Sequence, residues 1–301
     1  SDNVFVVGYT ASTNFPTTTG AYKVTYQGGD SDVFVAKLNS SLTSLASSTY
    51  LGGSLADSAY AAYLDASGNI YVAGPTLSTN FPTTTNAYQG NLAGSTYDGF
   101  IAELNGGLTS LLVSTYLGGA SEGDFINEIA LDTLGNVFVA GRTASTNFPT
   151  TTGAYQGTFK GLYWDNFVSK LNSGLTSLLA STYFGGSGDD YPVTVPAPTT
   201  FLDSSNNVYI AGYTNSTDLP TTTDAYQGTF GGGAVDVFVS KLNSTLTTLL
   251  ASTYLGGNGA DYISSKYLDG SGNVFVAAFS TSTNFPTTAG AYQGTNAGGT
   301  Y

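Results

Sequence analysis

Short runs of β-branched and aromatic residues recur along the chain, separated by segments rich in Gly, Ser, Thr and Asn. One such run, 137–140, is bounded by Gly135 and Gly141 and predicts a β-strand. The segments 165–172 and 178–183 predict two more strands, the second closed by a Gly-Gly pair. No useful length of sequence has a helical period. The pattern therefore predicts an all-β fold.

A fourth strand leads into the phrase Leu-Asp-x-x-Gly-Asn, as at residues 131–136. Asp and Asn side chains accept backbone hydrogen bonds in turns and glycine takes the positive-φ position, so this phrase predicts a tight turn. We label the strands of a unit A, which ends at Leu-Asp; B, Asn-Val-Phe-Val; C, Asp-x-Phe-Val; and D, Ser-Thr-Tyr.

Two phrases recur with the same period, which indicates tandem duplication. The proline of Asn-Phe-Pro-Thr-Thr (Asp-Leu-Pro in the fourth copy) stands at Pro16, Pro82, Pro149, Pro220 and Pro286, with spacings of 66, 67, 71 and 66. The tyrosine of Ser-Thr-Tyr-(Leu/Phe)-Gly-Gly stands at Tyr50, Tyr116, Tyr183 and Tyr254, with spacings of 66, 67 and 71.

Four short antiparallel strands repeated in tandem predict a β-propeller, because one unit cannot cover both faces of its sheet and has to stack on neighbours. We expect a single β-propeller repeat domain over 1–301, with four-stranded blades of about 66 residues and four to five blades in this chain. The repeat units cover approximately 1–67, 68–134, 135–205, 206–271 and, in part, 272–301. A β-solenoid is the alternative, although 66 residues would be long for one turn.

Several phrases of the unit, taken together, resemble a known repeat family. They are Asp-Val-Phe-Val-Ala-Lys-Leu-Asn at 32–39, Ser-Thr-Tyr-Leu-Gly-Gly at 48–53, Leu-Asp-x-x-Gly-Asn, and Tyr-Val-Ala-Gly before Asn-Phe-Pro-Thr-Thr. The set resembles the SBBP-type β-propeller repeat of bacterial and archaeal proteins over nearly the whole chain. The resemblance implies a propeller in large secreted or cell-surface proteins, with signature residues that build blades and no catalytic residues to transfer. The family name implies seven blades, more than this chain can supply.

The sequence starts and stops within a unit: B, C and D, then three full units, then A and B. A ring of four could close by pairing the last A strand with the first B strand, which leaves the last B strand and its Phe285-Pro286 loop surplus. Three explanations stay open: a fragment of a longer repeat protein, a disordered tail, or a strand donated to the next subunit. The third predicts self-assembly through Val4, Phe5 and Val6 and through Val274, Phe275 and Val276.

Composition excludes several classes of function. With no Cys and no His, the chain has no thiolate zinc site, cysteine nucleophile or Ser-His-Asp triad. Seven Lys and Arg against 20 Asp and Glu give a net charge of −13, the wrong sign for nucleic acid or an anionic membrane. Aromatic residues form 13% of the chain, which favours a folded protein. We expect no nucleic-acid partner and no membrane insertion.

The chain also lacks Met, so it has no easily oxidised sulfur, and its few Lys and Arg leave few sites for trypsin-like proteases. Both properties suit a durable extracellular material. We therefore expect an extracellular or cell-surface location.

Aspartate recurs at three points in each unit: before strand C, after Gly-Gly, and in Leu-Asp. These residues are Asp32, Asp98, Asp165 and Asp236; Asp57, Asp124, Asp190 and Asp261; and Asp65, Asp132, Asp203 and Asp269. One Ca²⁺ per blade is one interpretation, since hard cations prefer oxygen ligands. Turn capping is favoured, because no Asp-x-Asp-x-Asp-Gly loop is present. We expect no cofactor or metal site, with Ca²⁺ as the alternative.

Neighbouring acids on Gly-rich turns, Asp189-Asp190 and Glu122 with Asp124, could serve as a carboxylate pair for glycoside hydrolysis. A catalytic pair should instead face across a pocket, with one member desolvated to raise its pKa. We expect solvated turns at both places and no enzyme activity.

Candidate binding residues lie where one repeat departs from the others. Trp164, the only tryptophan, follows Tyr163 and Lys160, and Arg142 is the only arginine. The same repeat has an insertion around 191–198. Aromatic rings on loops can stack on sugar rings, which would make a glycan site. Drift in one blade of a structural array, or a subunit contact, is the favoured interpretation.

Asn-x-Ser/Thr sequences make Asn39, Asn215 and Asn243 candidate glycosylation sites, and the first and last occupy the same C–D turn of different units. Taken together, the sequence predicts a non-catalytic extracellular structural protein that assembles with copies of itself into a filament or surface layer. The alternative is a cell-surface adhesin or lectin-like propeller that binds glycans.

Overall fold

The computed structural model describes residues 3–192 and 201–298. This part of the chain forms 17 β-strands joined by turns and loops and contains no helix, so the all-β prediction is confirmed. Within the same residues, no helix has the length and hydropathy to cross a membrane.

The strands form five sheets. Sheet 1 has the order β1-β2-β3, with β1 Val4–Thr10, β2 Asp32–Leu38 and β3 Leu45–Leu51. Sheet 2 has the order β4-β5-β6-β7, with β4 Ala61–Leu64, β5 Ile70–Thr76, β6 Asp98–Leu104 and β7 Leu111–Leu117. Sheet 3 has the order β11-β10-β9-β8, with β8 Asp124–Leu131, β9 Val137–Thr143, β10 Asp165–Leu171 and β11 Leu178–Phe184.

Sheet 4 has the order β12-β13-β14-β15, with β12 Asp190–Pro192, β13 Val208–Thr214, β14 Asp236–Leu242 and β15 Leu249–Leu255. Sheet 5 contains β16 Asp261–Leu268 and β17 Val274–Ser280. The predicted strand order is confirmed: sheet 1 contains strands B, C and D, sheets 2 to 4 contain A to D, and sheet 5 contains A and B. Registers in sheets 1, 2, 4 and 5 are antiparallel.

The described residues form two compact units, and the division runs through the strands of sheet 3. One unit comprises 3–139, 145–149 and 170–179; the other comprises 140–144, 150–169, 180–192 and 201–298. In the first unit, one hydrophobic cluster joins sheets 1 and 2 and includes Val33, Val72, Phe81, Phe100 and Leu108. In the second, Ala211, Val237 and Ile263 form a smaller cluster against which Val276 packs.

Two tight turns recur in the units. In the A–B turn, Asp132 Oδ1 accepts the backbone N–H groups of Leu134 and Asn136 at 2.9 Å, as expected of a capping aspartate. In the C–D turn, Asn39 Oδ1 accepts the N–H of Thr43 at 2.8 Å, and Leu42 has a φ of 57°. Leu108, Leu175 and Leu246 hold the same left-handed conformation in later turns.

The D-strand tyrosines anchor the loop after strand B. Their side chains are buried, and the Tyr50 hydroxyl donates to the Ser12 carbonyl at 2.7 Å and accepts the Phe15 N–H at 2.9 Å. Tyr254 makes the same two bonds with Ser216 and Leu219. The recurring Asn-Phe-Pro loop and the recurring Ser-Thr-Tyr strand are therefore two halves of one contact.

Candidate functional site

The two terminal B strands expose side chains that internal B strands bury. In β1, the exposed fractions are 42% for Val4 and 41% for Val6; in β17, Phe275 is 57% exposed. The internal equivalents are buried, and Val137 and Phe138 among them are inaccessible to solvent. Apolar side chains on an exposed strand mark a surface that another strand or sheet can cover.

Each of these strands is also an edge strand. In the described residues, β1 pairs with β2 alone and β17 pairs with β16 alone. Phe5 packs against the core of the first unit and Val276 against that of the second, so each strand buries one face and leaves its outer edge unpaired. Val274 is half-buried, as are Phe285 and Pro286 in the loop that follows. An unpaired edge of this kind is a template for strand addition.

The loop after β17 contains a cavity where the other loops hold a tyrosine. The cavity has a volume of about 320 Å³ and is lined by Ser282, Asn284 and Phe285 among others. Ser282 and Phe285 correspond to Ser12 and Phe15, whose backbone groups bind the Tyr50 hydroxyl. In the part of the chain that the structure describes, sheet 5 contains β16 and β17 alone, so no D-strand tyrosine of this sheet fills the cavity.

Two of the predicted binding residues lie together. The Arg142 guanidinium lies 4.8 Å from the centre of the Trp164 ring and 5.7 Å from that of Tyr191, within the range of cation–π attraction. The Tyr163 side chain is exposed, and its backbone N–H donates to Asp189 at 2.8 Å. Lys160 is exposed, and residues 193–198 of the insertion predicted around 191–198 lie outside the described residues.

Sequence reasoning missed an aromatic row that continues from this pair. Ring centroids are 5.1 Å apart for Tyr191 and Tyr213, 5.1 Å for Tyr213 and Tyr262, and 5.2 Å for Tyr262 and Phe279. The row was detectable in principle, because the sixth residue of strand B varies among otherwise similar repeats: Tyr9, Pro75, Arg142, Tyr213 and Phe279. Strand pairing then brings this position beside the start of strand A.

The candidate glycosylation sites differ in environment. Asn215 is exposed, and its Oδ1 accepts the Asp189 N–H at 2.6 Å. Asn39 and Asn243 are half-buried in C–D turns, where their Nδ2 atoms donate to Thr43 Oγ1 at 2.9 Å and Thr247 Oγ1 at 3.0 Å. In these two residues, the nitrogen that would carry a glycan holds the turn together.

The expectation of solvated turns was wrong for Asp124 and Asp190, which are both fully buried. The Gly-Gly loop folds back over each carboxylate, so that Asp124 accepts the Gly119 N–H at 2.7 Å and Asp190 accepts the Gly186 N–H at 2.8 Å. Ser216 Oγ adds a bond to Asp190 at 3.0 Å. These acids lock a loop, a role that their Gly-rich surroundings in the sequence did not indicate.

Each buried acid after Gly-Gly faces the acid that begins strand C. A β-carbon on Gly52 would lie 2.5 Å from Asp32 Oδ1 and 2.7 Å from Asp57 Oδ2, and the same convergence recurs at Gly118, Gly185 and Gly256. Burial raises the pKa of Asp32 and of Asp57 to about 6, with a further increase for Asp32 from the nearby Asp57 charge. Burial likewise raises the pKa of Asp190 to about 7.

In three of the A–B turns the aspartate has the opposite tendency, since the pKa values of Asp132, Asp203 and Asp269 are lowered by hydrogen bonds to their carboxylates. Burial tends to raise the pKa of Asp203, but hydrogen bonds from Lys241 and Asn207 outweigh it and hold that pKa at about 2. Lys241 Nζ lies 2.9 Å from Asp203 Oδ2, and Lys170 Nζ lies 3.1 Å from Asp132 Oδ2. Turn capping is thus confirmed for this group. Within residues 3–192 and 201–298, no three Asp or Glu side chains gather in a cluster that could hold a metal ion.

Comparison with known families supports the repeat assignment. A family model described as "SBBP: Beta-propeller repeat" matches residues 48–82, 114–149 and 201–220. Each match includes parts of the Ser-Thr-Tyr or Asn-Phe-Pro phrases, or the A–B turn between them. No curated protein matches the chain.

Proposed function

We propose that this chain, three segments of which match the SBBP β-propeller repeat, is a non-catalytic extracellular structural protein. Its sheets act as blades of about 66 residues each, four to five in number, within a single repeat domain. Copies assemble into a filament or surface layer through the incomplete terminal sheets. Because β1 and β17 are edge strands of different sheets, a contact between them is head-to-tail, and head-to-tail contacts can propagate.

The observation that carries this proposal is the exposure of apolar side chains at both terminal B strands. Val4, Val6 and Phe275 are exposed, whereas the corresponding side chains of internal sheets are covered by a neighbouring sheet. Full burial of a side chain of this size is worth about 1.5–3 kcal/mol, and covering the exposed 41–57% of these three side chains is worth roughly half of that for each. Two such strands therefore favour association over a solvated single chain.

The cavity beside Phe285 supports strand donation as the route. In this arrangement, β17 of one copy lies beside β2 of the next and takes the place of β1 there. The loop at 281–296 then receives Tyr50 of that copy in the cavity of about 320 Å³. In this arrangement β17 is suited to the position of β1, because residues 4–6 and 274–276 have the same sequence, Val-Phe-Val.

One residue of β17, Ala278, hinders the replacement of β1 by β17. Ala278 occupies the position of Gly8, and a β-carbon on Gly8 would lie 3.0 Å from the Phe34 ring. The ring has to move by a few tenths of an ångström to admit the donated strand. Ala278→Gly should therefore strengthen association, which is the opposite of what a glycine inside a strand usually does.

Deletion of residues 273–301 tests strand donation. Light scattering of the intact chain should give masses well above 30.9 kDa, and the shortened chain should give the mass of one molecule. The matched control is the full chain with Val274, Phe275 and Val276 replaced by Thr. This variant loses the apolar contact but keeps the length of the chain. Particles unchanged by the deletion would contradict strand donation.

A glycan-binding adhesin is the second candidate, favoured by the aromatic row beside Arg142. Stacked rings next to a guanidinium are suited to sugar faces and hydroxyl groups. Binding to a glycan array that is lost in Trp164→Ala but retained in Tyr226→Ala, an exposed tyrosine outside the row, would support this role. An array without hits would remove it.

A further inference from the structure

One polar side chain in strand C of sheet 3 occupies a position that the other sheets fill with apolar residues. Asn166 is the second residue of β10. The equivalent residues of β2, β6 and β14 are Val33, Gly99 and Val237. Val237 packs in a hydrophobic cluster with Ala211 and Ile263. The fold of a sheet therefore does not need an amide at this position.

The Asn166 amide is buried without a hydrogen bond. The residue is inaccessible to solvent, and within residues 3–192 and 201–298 neither its Oδ1 nor its Nδ2 has a hydrogen-bond partner. Such burial is unfavourable, because the amide gives up its bonds to water and gains none in return. Since folded proteins satisfy nearly all buried polar groups, Asn166 indicates a polar partner from outside this part of the chain.

Arg142 lies beside Asn166 in the sheet. In sheets 1, 2 and 4, the sixth residue of strand B pairs with the second residue of strand C, as Tyr213 does with Val237. Arg142 and Asn166 hold these two positions on β9 and β10, which are neighbours in sheet 3. Directly opposed residues of paired strands direct their side chains to the same face. The guanidinium and the amide therefore lie on one face of sheet 3.

Two aromatic rings flank this guanidinium. It lies 4.8 Å from the centre of the Trp164 ring and 5.7 Å from that of Tyr191. Arg142, Trp164 and Tyr191 are half-buried, so the group extends from the buried Asn166 towards the surface. All four residues belong to the second compact unit. Aromatic walls with a few polar groups at fixed positions are typical of small-molecule sites.

The two unpaired atoms of the amide define the class of ligand. Oδ1 accepts hydrogen bonds and Nδ2 donates them, so an anion would satisfy Nδ2 alone and a cation Oδ1 alone. Two adjacent hydroxyl groups satisfy both atoms. Negative charge near the site also disfavours an anion, because the N–H groups of Tyr163 and Trp164 bind the Asp189 carboxylate at 2.8 and 3.2 Å, and the chain has a net charge of −13.

We infer that Asn166 is the polar anchor of a binding site for a neutral pyranose sugar, lined by Arg142, Trp164 and Tyr191. Adjacent hydroxyl groups of the sugar bind the Asn166 amide, and the Trp164 ring packs on the apolar face of the sugar. Because Asn166 is fully buried, the sugar enters as the Trp164 side chain turns outward. This inference rests on the glycan-binding candidate, and it names the class of sugar and the residue that selects it.

The fluorescence of Trp164 tests the site directly, because the chain has no other tryptophan. The intact chain is titrated with glucose, galactose, mannose and N-acetylglucosamine. At least one of these sugars should give a saturable change in emission, and glucuronate, which carries a carboxylate, should give a smaller change than glucose.

Asn166→Val introduces the residue that sheets 1 and 4 have at this position. The variant should bind the sugar about a hundredfold more weakly, since two hydrogen bonds are lost. Its melting temperature should rise, because a buried amide without partners is removed. Val237→Asn is the matched control in sheet 4. It should lower the melting temperature and leave the response to sugar unchanged.

Three results would contradict the inference in different ways. A melting temperature that does not rise in Asn166→Val would mean that the amide is satisfied within the fold. A saturable response that persists in Asn166→Val, or glycan-array binding without a change in Trp164 emission, would overturn this site and leave glycan binding in place. A chain that responds to no sugar and binds no array glycan would overturn the inference together with the glycan-binding candidate.

Discussion

The B strands β9 and β17 share the sequence Val-Phe-Val-Ala and differ in what covers them. In β9, Val137 and Phe138 are inaccessible to solvent, whereas in β17 the corresponding Val274 is half-buried and Phe275 is 57% exposed. Local pattern decides that both segments form strands. Burial is decided by neighbouring sheets, and within residues 3–192 and 201–298 no further strand pairs with the outer edge of β17. The comparison teaches that the strand sequence does not by itself determine how deeply a strand is buried.

The largest expected effect is the difference in the free energy of unfolding between Phe138→Ala and Phe275→Ala. Phe138→Ala removes a fully buried ring and should lower the free energy of unfolding by about 3–5 kcal/mol. Phe275→Ala should lower it by less than about 1 kcal/mol in the single chain, since over half of this side chain is already in water. Urea denaturation of both variants in the chain shortened after residue 280 measures the difference. Equal losses would show that the terminal strand is covered within the chain.

Substitutions of two separate glycines test the packing around the buried carboxylates. Gly118→Ala would place a β-carbon 2.6 Å from Asp98 Oδ1 and 2.8 Å from Asp124 Oδ2. We expect a loss of about 1–3 kcal/mol from this overpacking. Gly90→Ala, with nothing near its β-carbon, should be neutral or slightly stabilising. Thermal unfolding of the two variants is the measurement, and equal melting temperatures would contradict the close approach of the carboxylates.

The buried acids predict an unusual pH dependence. Burial raises the pKa of Asp98 and of Asp165 to about 6, above the ordinary value of 3.8. The folded chain therefore binds more protons than the unfolded chain between these values, and stability should fall as pH rises from about 4 to about 7. Below about pH 4, acids with lowered pKa, such as Asp203, should lose their stabilising bonds.

Calorimetry across pH checks this sign. We expect a melting temperature higher by about 5 °C or more at pH 4.5 than at pH 7. Asp98→Asn should reduce the slope, because it removes one titrating group while keeping an acceptor for the Ala93 N–H. A melting temperature that rises steadily from pH 4.5 to 7 would contradict the burial of these carboxylates in the folded chain.

The smallest effect concerns the lysine–aspartate pairs. Lys241→Gln should cost about 0.5–1 kcal/mol in the free energy of unfolding, since the pair with Asp203 is partly exposed to solvent. Lys37→Gln should cost less, because Lys37 Nζ donates to the uncharged Gly106 carbonyl at 2.8 Å. Urea denaturation of each variant measures the difference. A similar loss of stability for both variants would contradict a larger contribution from the lysine–aspartate pair.

The sequence predicted the strands and their order well, because alternation, glycine punctuation and the period of the repeat are local signals. It did not predict the burial of Asp190, which depends on a loop that folds back over residues distant in the sequence. It did not predict the left-handed Leu42 either, because leucine is not a residue type that marks a positive-φ turn. Arg142 and Trp164 were singled out only because they occur once. Their contact, and the aromatic row that continues from it, join residues far apart in the sequence, so the variation at the sixth position of strand B does not by itself reveal them.

Negative-stain electron microscopy of the intact chain, with mass determined by light scattering over a range of concentrations, tests self-assembly most directly. We predict filaments or sheets, and masses that rise with concentration to many times 30.9 kDa. Uniform particles with the mass of one chain at every concentration would contradict self-assembly and would leave glycan binding as the function to pursue.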